Sequence, residues 1–324
     1  MRFDEGVNPV PADAPDSAVA GHYGDPYAEQ RLLARGEGAV DLSQRPVLRI
    51  TGPDRLSWLH SLLSQHVAQL QPGESTEALV LSPQGHVEHH LHLLETGDEV
   101  LAHVEPGTAE DLTAFLDKMR FMLRVEVTLA DDLAVRWHPG PVDGPATRTG
   151  FGSYALVPRT SEYDGPWAGV MAHEALRVAA RRARLGMDTD HRTLPHEVGW
   201  LSSAVHLDKG CYRGQESVAR IYNLGRPPRR LVLLHLDGSD SELPAVGDPV
   251  LLGDREVGRL GSRVRHHELG PIALALVKRN VPDDAQLVVG GVTAAIDPAE
   301  QDDVPESPAR AAAAARATLL RLPR

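Results

Sequence analysis

The chain has 324 residues, of which 42% are hydrophobic, and it carries a formal net charge of −12. This length predicts two domains, or one large domain with a smaller partner. The acidic surface argues against binding nucleic acid through general charge attraction, because it repels phosphate groups.

The cysteine content and the hydropathy pattern bear on the compartment. The single cysteine excludes an intramolecular disulfide and favours a reducing compartment, so we expect a cytoplasmic protein. The first twenty residues lack the basic and apolar regions of a secretion signal. No run approaches eighteen apolar residues, so we expect no membrane span.

The first hundred residues alternate between predicted helices and strands. Residues 1–22 are rich in Pro, Ala, Asp and Gly without periodicity, which predicts a disordered lead. Apolar spacing predicts a helix over 25–35, strands over 39–52 and then a helix capped by Asp54. The SPQG tetrapeptide at 82–85 joins two strand-like runs, which predicts a hairpin.

The middle of the chain continues the alternation. Helices are predicted over 108–121 and 167–185, with strand-like runs between them. The second helix carries Arg181, Arg182 and Arg184, a local basic group that we interpret as a solvated helix face.

The last third of the chain predicts a separate all-β unit. Pro227 and Pro228 cannot donate ladder hydrogen bonds and therefore mark a linker. Beyond them, five short strand-like runs separated by Gly, Asp and Pro predict a small β-barrel. The predicted organisation is a lead (1–22), a larger domain (23–227), a barrel (228–299) and a flexible tail (300–324).

The only cysteine lies in the octapeptide KGCYRGQE at 209–216. Two glycines permit a tight turn or a close approach to a ligand. The next residues predict a helix over 215–224 that ends at Gly225. The helix N-terminus, Lys209 and Arg213 would favour the thiolate form of Cys211. The alternative is an inert, buried cysteine, and the residues alone leave both interpretations open.

This octapeptide resembles the K-G-C-Y-x-G-Q-E signature of the YgfZ proteins, which are relatives of the glycine-cleavage T-protein. Four further segments resemble the same family in the same order: ITGPDRLSWLHSLLSQ, LSPQGHVEHH, ALRVAARRARLGMDTDHRTLPHE and ARIYNLGRPPRRLVLLHLDG. The resemblance covers roughly residues 25–298.

The resemblance implies a fold, a ligand and partners. The implied fold is α+β, a T-protein-like ring of several subdomains around a central folate channel, followed by a small C-terminal β-barrel. The implied ligand is tetrahydrofolate or a derivative, and the implied role is support of iron–sulfur protein assembly or repair, with an indirect effect on tRNA modification. The implied partners are iron–sulfur assembly or client proteins, without direct nucleic-acid binding. Since a cluster needs about four ligands, we expect none to be stably bound by this one-cysteine chain alone.

The resemblance also implies two groups of site residues. Cys211 would be the reactive group, with Lys209 beside it as a second catalytic residue. Tyr212 would offer a stacking face to folate, and Lys209 a charge for its glutamate tail. The residues implied to bind folate are His89, His90, Arg177, Tyr212, Arg213, Gln215 and Glu216.

Two positions depart from the T-protein pattern and make aminomethyl transfer the alternative function. T-proteins carry an Asp-Asp pair where His89 and His90 stand here, and histidine does not supply the same fixed negative charge. They also carry a pterin-binding glutamate at the position of Ala179. We therefore expect an accessory protein, with a folate-dependent transferase as the first alternative. The second alternative is a scaffold that has lost the ligand.

The histidine-rich segment at 86–92 invites a metal interpretation. Alternation along a strand would place His86, Glu88, His90 and His92 on one face. Residues six apart on one strand lie about 20 Å apart, so one ion cannot bridge the two ends. A pair could bind an ion with help from elsewhere, but we expect a polar face and no metal site.

Overall fold

The computed structural model describes residues 9–239 and 242–298. The helices are α1 Pro26–Ala34, α2 Arg55–Leu62, α3 Ala109–Met119, α4 Val170–Ala179, α5 Trp200–Ala204 and α6 Gln215–Leu224, with a 3-10 turn at Pro195–Glu197. The strands are β1 Val10–Pro11, β2 Ala20–His22, β3 Ala39–Asp41, β4 Val47–Thr51, β5 Ser75–Leu81, β6 Val87–Glu95, β7 Glu99–His103, β8 Glu126–Leu129, β9 Leu133–His138, β10 Ala146–Thr149, β11 Gly152–Pro158, β12 Trp167–Ala168, β13 Arg229–Leu236, β14 Pro249–Leu252, β15 Arg255–His266, β16 Gly270–Lys278, β17 Gln286–Val289 and β18 Val292–Ile296. The predicted tail at 300–324 and residues 1–8 of the predicted lead lie outside the described residues.

Two five-stranded sheets form the larger part of the molecule. Their strand orders are β5-β6-β7-β4-β8 and β10-β11-β9-β3-β12. One face of the first sheet packs on α2 and α3 through residues such as Leu59, Leu91 and Leu112. The other face turns towards the second sheet, where Leu94 and Trp137 share a core cluster. The space between the sheets is therefore the interior of this domain.

A β-bulge in the β5–β6 hairpin decides which side chains enter that interior. Val80 pairs with His89, whereas Leu81 pairs with Val87, so Glu88 is the extra residue. Glu88 is exposed, and His86 precedes the strand. The predicted four-residue face is therefore wrong: of its members, His90 and His92 point between the sheets.

The C-terminal strands close into a barrel in the order β13-β16-β15-β14-β17-β18. Apolar side chains such as Val232, Leu260 and Ala275 alternate inward and form its core. The fifth predicted run is a hairpin of two strands, because Gly290 and Gly291 turn the chain between them. The predictions of an α+β fold and of a C-terminal barrel are confirmed.

Three local predictions are wrong. Residues 9–22 form the paired strands β1 and β2 instead of a disordered lead, held by an ion pair of 2.6 Å between Asp16 and Arg184. The helix predicted over 167–185 spans only α4, since Arg181 has a left-handed φ of 54°. The Asp54 carboxylate does not cap α2 but accepts hydrogen bonds from Arg124.

The basic group at 181–184 is not a solvated helix face. Arg181 pairs with Asp297, Arg182 with Glu77, and Arg184 with Asp16 among others. The three guanidinium groups therefore cross-link distant segments. Among the described helices, none has the length and apolar content that crossing a bilayer would require.

Candidate functional site

Aromatic and titratable side chains fill the space between the two sheets. We call Glu77, His90, His92, His103 and Tyr154 the inner chamber. The rings of His92 and His103 stack with 4.5 Å between centroids and 2° between planes. Tyr154 lies 5.2 Å and 4.9 Å from these two rings, measured between centroids. The chamber is thus lined by flat rings.

Glu77 is the only carboxylate among the residues of the chamber, and the sequence analysis missed it. Its Oε2 lies 3.0 Å from His90 Nε2, and its Oε1 accepts a hydrogen bond of 3.2 Å from Arg182. The β5–β6 ladder places Glu77 directly opposite His92. If the register of the Leu81–Val87 pair continued without the bulge, Glu77 would lie opposite Leu91. No feature of the sequence marked that one-residue shift.

Burial sets the protonation of the chamber. It lowers the pKa of His92 and of His103 well below 6.5, so both imidazoles are neutral at pH 7. Burial alone would raise the pKa of Glu77. The hydrogen bond with His90 and nearby positive charge outweigh that effect and hold the pKa below its usual range. The chamber therefore combines the ionised carboxylate of Glu77 with the neutral imidazoles of His92 and His103.

Two buried nitrogen atoms in the chamber lack hydrogen-bond partners. Within the described residues, neither His92 Nδ1 nor His103 Nδ1 is paired. His103 Nε2 is occupied at 2.9 Å by Thr147 Oγ1. A buried polar atom left unpaired costs roughly 1–3 kcal/mol, so such atoms favour a bound polar group or water.

His89 and His90 lie on opposite faces of β6. His90 packs against Trp200 at 4.4 Å between ring centroids, inside the molecule. His89 points to the helix layer, where Asp111 of α3 raises its pKa against the larger lowering effect of burial. Of these two predicted folate residues, only His90 lies in the chamber.

Arg177 lies at the interface between α4 and the barrel. Its guanidinium donates to Asp188 at 2.9 Å, to Glu174 at 2.7 Å and to the Ser262 hydroxyl of β15 at 2.5 Å. It also donates to the backbone carbonyl of Arg182, whose side chain reaches Glu77. Arg177 thus reaches the chamber only through Arg182, and protein partners occupy its guanidinium group.

Arg177 belongs to a larger set of buried ion pairs. Arg184, next to it, pairs with both Asp16 and Glu105 at 2.6 Å. Arg45 holds the other side of Glu105 at 2.8 Å. Arg184 thus connects Asp16, which lies between β1 and β2, to Glu105, which follows β7 of the first sheet. Arg45 strengthens the same connection beside the chamber.

Lys209 closes the C-terminal end of α2. Its Nζ donates to the backbone carbonyls of Leu63 at 2.5 Å and Gln65 at 3.1 Å, and to that of His60. Burial lowers the pKa of Lys209 to about 8. Its ammonium group is therefore committed to the protein, which is at odds with the predicted contact to a glutamate tail or to the thiol.

The octapeptide, which we call the cysteine loop (209–216), presents few side chains to the interior. Cys211 is exposed. Arg213 pairs with Glu88 at 2.8 Å, so this charge is also committed elsewhere. Glu216 forms an exposed pair with Arg220. Gln215 donates to the Lys209 carbonyl at 3.1 Å.

Tyr212 is buried in an apolar cluster that also holds Trp200. Its ring lies 5.1 Å from Lys209 Nζ. The predicted folate residues of the cysteine loop therefore do not contact the chamber residues. They are Tyr212, Arg213, Gln215 and Glu216. The predicted helix over 215–224 is confirmed, and Gly225 ends it with a φ of 96°.

The cysteine loop is nevertheless fixed to the strand pair that carries the chamber. Gly214 has a φ of 82°, and a Cβ on it would lie 2.5 Å from the Ser82 carbonyl oxygen. A Cβ on Gly85 would lie 2.9 Å from Ser217 Cβ. Only glycine permits this backbone contact, so the loop docks on the β5–β6 turn.

A separate cleft of about 520 Å³ opens between the N-terminal strands, α4 and the barrel. Its lining includes Met171, Val264 and the paired side chains of Asp16 and Arg184. None of the chamber residues lines this cleft. The titratable groups of the chamber thus lie outside this cleft.

Comparisons with known proteins agree on the fold. Residues 229–304 match the CAF17 C-terminal β-barrel domain. Over 90% of the chain and 93% of its counterpart, the structure resembles glycine cleavage system aminomethyltransferase T from Bartonella henselae, with a TM-score of 0.75 and 18% identity.

Two curated relatives are similar in sequence. A putative chloroplastic transferase of Arabidopsis thaliana is 22% identical over 70% of this chain and 62% of the relative. The aminomethyltransferase of Rippkaea orientalis is 26% identical over 78% and 81% of the two chains. The chain thus spans less than two thirds of the length of the Arabidopsis relative. It has an aminomethyltransferase T-like fold that ends in a CAF17-type barrel, which confirms the sequence resemblance at that level.

Proposed function

We propose that this chain binds a reduced folate, tetrahydrofolate or a derivative, in the inner chamber. One observation carries the proposal: between the sheets of a T-like fold, the buried Nδ1 atoms of His92 and His103 have no hydrogen-bond partner among the residues that the structure describes. A pterin is flat and carries several hydrogen-bonding groups along its edge. Once the packed rings of the chamber move apart to admit it, the pterin would stack on them and satisfy the unpaired nitrogens. Arg182, at the outer edge, would attract the glutamate carboxylates instead of the committed Lys209.

Equilibrium binding of tetrahydrofolate tests this proposal. We expect His103→Phe, which keeps a flat ring but loses both nitrogens, to weaken binding about tenfold, the effect of roughly 1.4 kcal/mol. Glu37→Gln, in an exposed pair with Arg35, is the control and should bind as the wild type does. A wild-type protein that does not bind the folate, or a variant with undiminished affinity, would overturn the proposal.

The role that we propose for the folate-bound protein is support of iron–sulfur protein assembly or repair in the cytoplasm. The octapeptide resemblance supports it, and so does the exposure of Cys211, which makes the thiol accessible to a partner protein. A deletion strain assayed for several iron–sulfur enzymes, and complemented with wild type or Cys211→Ser, tests it. We expect the variant to fail because oxygen replaces a soft sulfur ligand. Full restoration by Cys211→Ser would make the cysteine dispensable.

A second candidate function is folate-dependent aminomethyl transfer. The favouring observation is Glu77, which brings an ionised carboxylate to the chamber beside His90. It could supply the negative charge that the two histidines lack. Formation of methylene-tetrahydrofolate by the wild type, and its loss in Glu77→Gln, would support this candidate. Absence of turnover in the wild type would remove it.

A further inference from the structure

We propose that Glu77, His90 and His92 form a binding site for a divalent metal ion of the zinc class. One ligand atom from each residue lies within 4.8 Å of the other two, and all three residues are buried. The proposal goes beyond folate binding and does not depend on it.

The β5–β6 ladder supplies the geometry. His90 and His92 are two residues apart on one strand and therefore share a face, and Glu77 faces His92 across the ladder. Two neighbouring strands thus bring three ligands together, which a single strand could not do. His90 Nε2 and Glu77 Oε2 are 3.0 Å apart. Ligands that each bind zinc at about 2.0–2.2 Å have a similar spacing, so small side-chain rotations complete the set.

The His92 ring is suited to serve as a ligand. It is only 8% exposed, and its Nδ1 has no partner within the described chain. The parallel ring of His103 fixes its plane. A metal ion bound at Nδ1 would give this buried polar atom a partner.

Groups around Glu77 orient the carboxylate as outer-sphere partners do in metal sites. Arg182 holds Oε1 at 3.2 Å, which leaves Oε2 for the ion. The Ser203 hydroxyl lies 3.4 Å from Oε2. Two imidazoles and one carboxylate are a donor set that zinc accepts, and they leave a fourth position for water or another ligand.

The positive charge of Arg182 is also the main electrostatic obstacle to metal binding beside Glu77. A second cation beside Glu77 would repel its guanidinium. The Arg182 side chain is 35% exposed, so it can turn towards solvent when the ion binds. This arrangement predicts opposite effects of two substitutions: loss of Glu77 weakens metal binding, and loss of the Arg182 charge strengthens it.

Zinc titration of the full chain, stripped with a chelator and kept free of folate, tests the proposal. We expect one site by competition with a chromophoric chelator. Glu77→Gln and His92→Phe should each lower affinity by at least about tenfold. Arg182→Gln should raise it. His191→Gln, which removes an exposed histidine far from Glu77 in sequence, is the control and should change nothing.

Cobalt gives an independent readout, because a tetrahedral N/O site produces visible absorption bands that adventitious surface binding does not. Circular dichroism checks that each variant is folded. A wild-type chain without a stoichiometric site, or equal zinc affinity in wild type, Glu77→Gln and His92→Phe, would overturn the proposal. Folate binding is measured separately on the metal-free protein, so failure of either proposal is visible without the other.

Discussion

The cysteine loop and the buried interior differ in how far their polar groups are already paired within the protein. The loop carries the conspicuous sequence motif, yet Lys209 caps α2 and Arg213 pairs with Glu88. The interior instead holds the neutral imidazoles of His92 and His103 and the ionised carboxylate of Glu77. The charges of the loop thus serve structure, whereas polar groups of the interior are left available to a ligand.

The largest expected effect comes from the buried ion pairs of the interior. Arg184→Gln would leave Asp16 buried without its ion-pair partner and would take one of two arginines from Glu105, at a cost of about 3–5 kcal/mol in the free energy of unfolding. The matched change in the loop is Arg213→Gln, whose pair is about one-third exposed and should cost less than about 1 kcal/mol. Urea denaturation measures both. Equal losses in the free energy of unfolding would show that the buried and the exposed ion pairs contribute equally to stability.

The pH dependence of stability is the next effect. His92, His103 and His173 have pKa values lowered by burial, so the unfolded chain binds more protons than the folded one. Stability should therefore fall as pH drops below about 6.5, by up to roughly 1.4 kcal/mol per pH unit per histidine.

Denaturation between pH 7.5 and 5.5 measures this slope. His103→Gln can keep the hydrogen bond with Thr147 but cannot take up a proton, so it should flatten the slope by about one proton. An unchanged slope in this variant would show that His103 is protonated in the folded chain.

A smaller effect is expected for Lys209→Met. The methionine keeps an apolar stem beside Tyr212 but leaves carbonyls at the end of α2 without a donor. We expect a loss of about 1–3 kcal/mol in the free energy of unfolding. Arg220→Met, in an exposed pair, is the control, with an expected change of less than about 0.5 kcal/mol. If Lys209→Met is as stable as this control, the contacts of Lys209 with the α2 carbonyls do not stabilise the fold.

The smallest effect concerns Cys211→Ser. The side chain is exposed, so the free energy of unfolding should change by less than about 0.5 kcal/mol. Thermal unfolding monitored by circular dichroism checks this. A loss of several kcal/mol would instead make the cysteine a packing residue, as the inert alternative supposed.

Local patterns predicted those parts of the fold that depend on neighbours in sequence. The glycine at 225 located the end of α6, and the two prolines located the start of the barrel. The lead was mispredicted because its order depends on Arg184, which lies 168 residues away. The composition of residues 1–22 indicates that they cannot form a hydrophobic core of their own. It does not reveal an ion pair with a residue as distant as Arg184.

The site was predictable only in part for a similar reason. The histidines of β6 were noticed, but the one-residue bulge removed Glu88 from the face of His90 and His92 and placed Glu77 opposite His92. Lys209 and Arg213 are close to Cys211 in sequence, and proximity suggested activation of the thiol. Their partners, the α2 carbonyls and Glu88, come from segments more than a hundred residues earlier.

The N-terminal strands have a consequence for the order of events during synthesis. Asp16 leaves the ribosome long before Arg184, since 168 residues separate them, and at about 5–20 residues per second the delay is roughly 10–30 s. Gln30 waits longer still, because its side chain binds the Arg265 carbonyl in the barrel, 235 residues later. Asp16 and Gln30 thus find these partners only late in synthesis. Chaperone contact in the nascent chain should concentrate on this early segment.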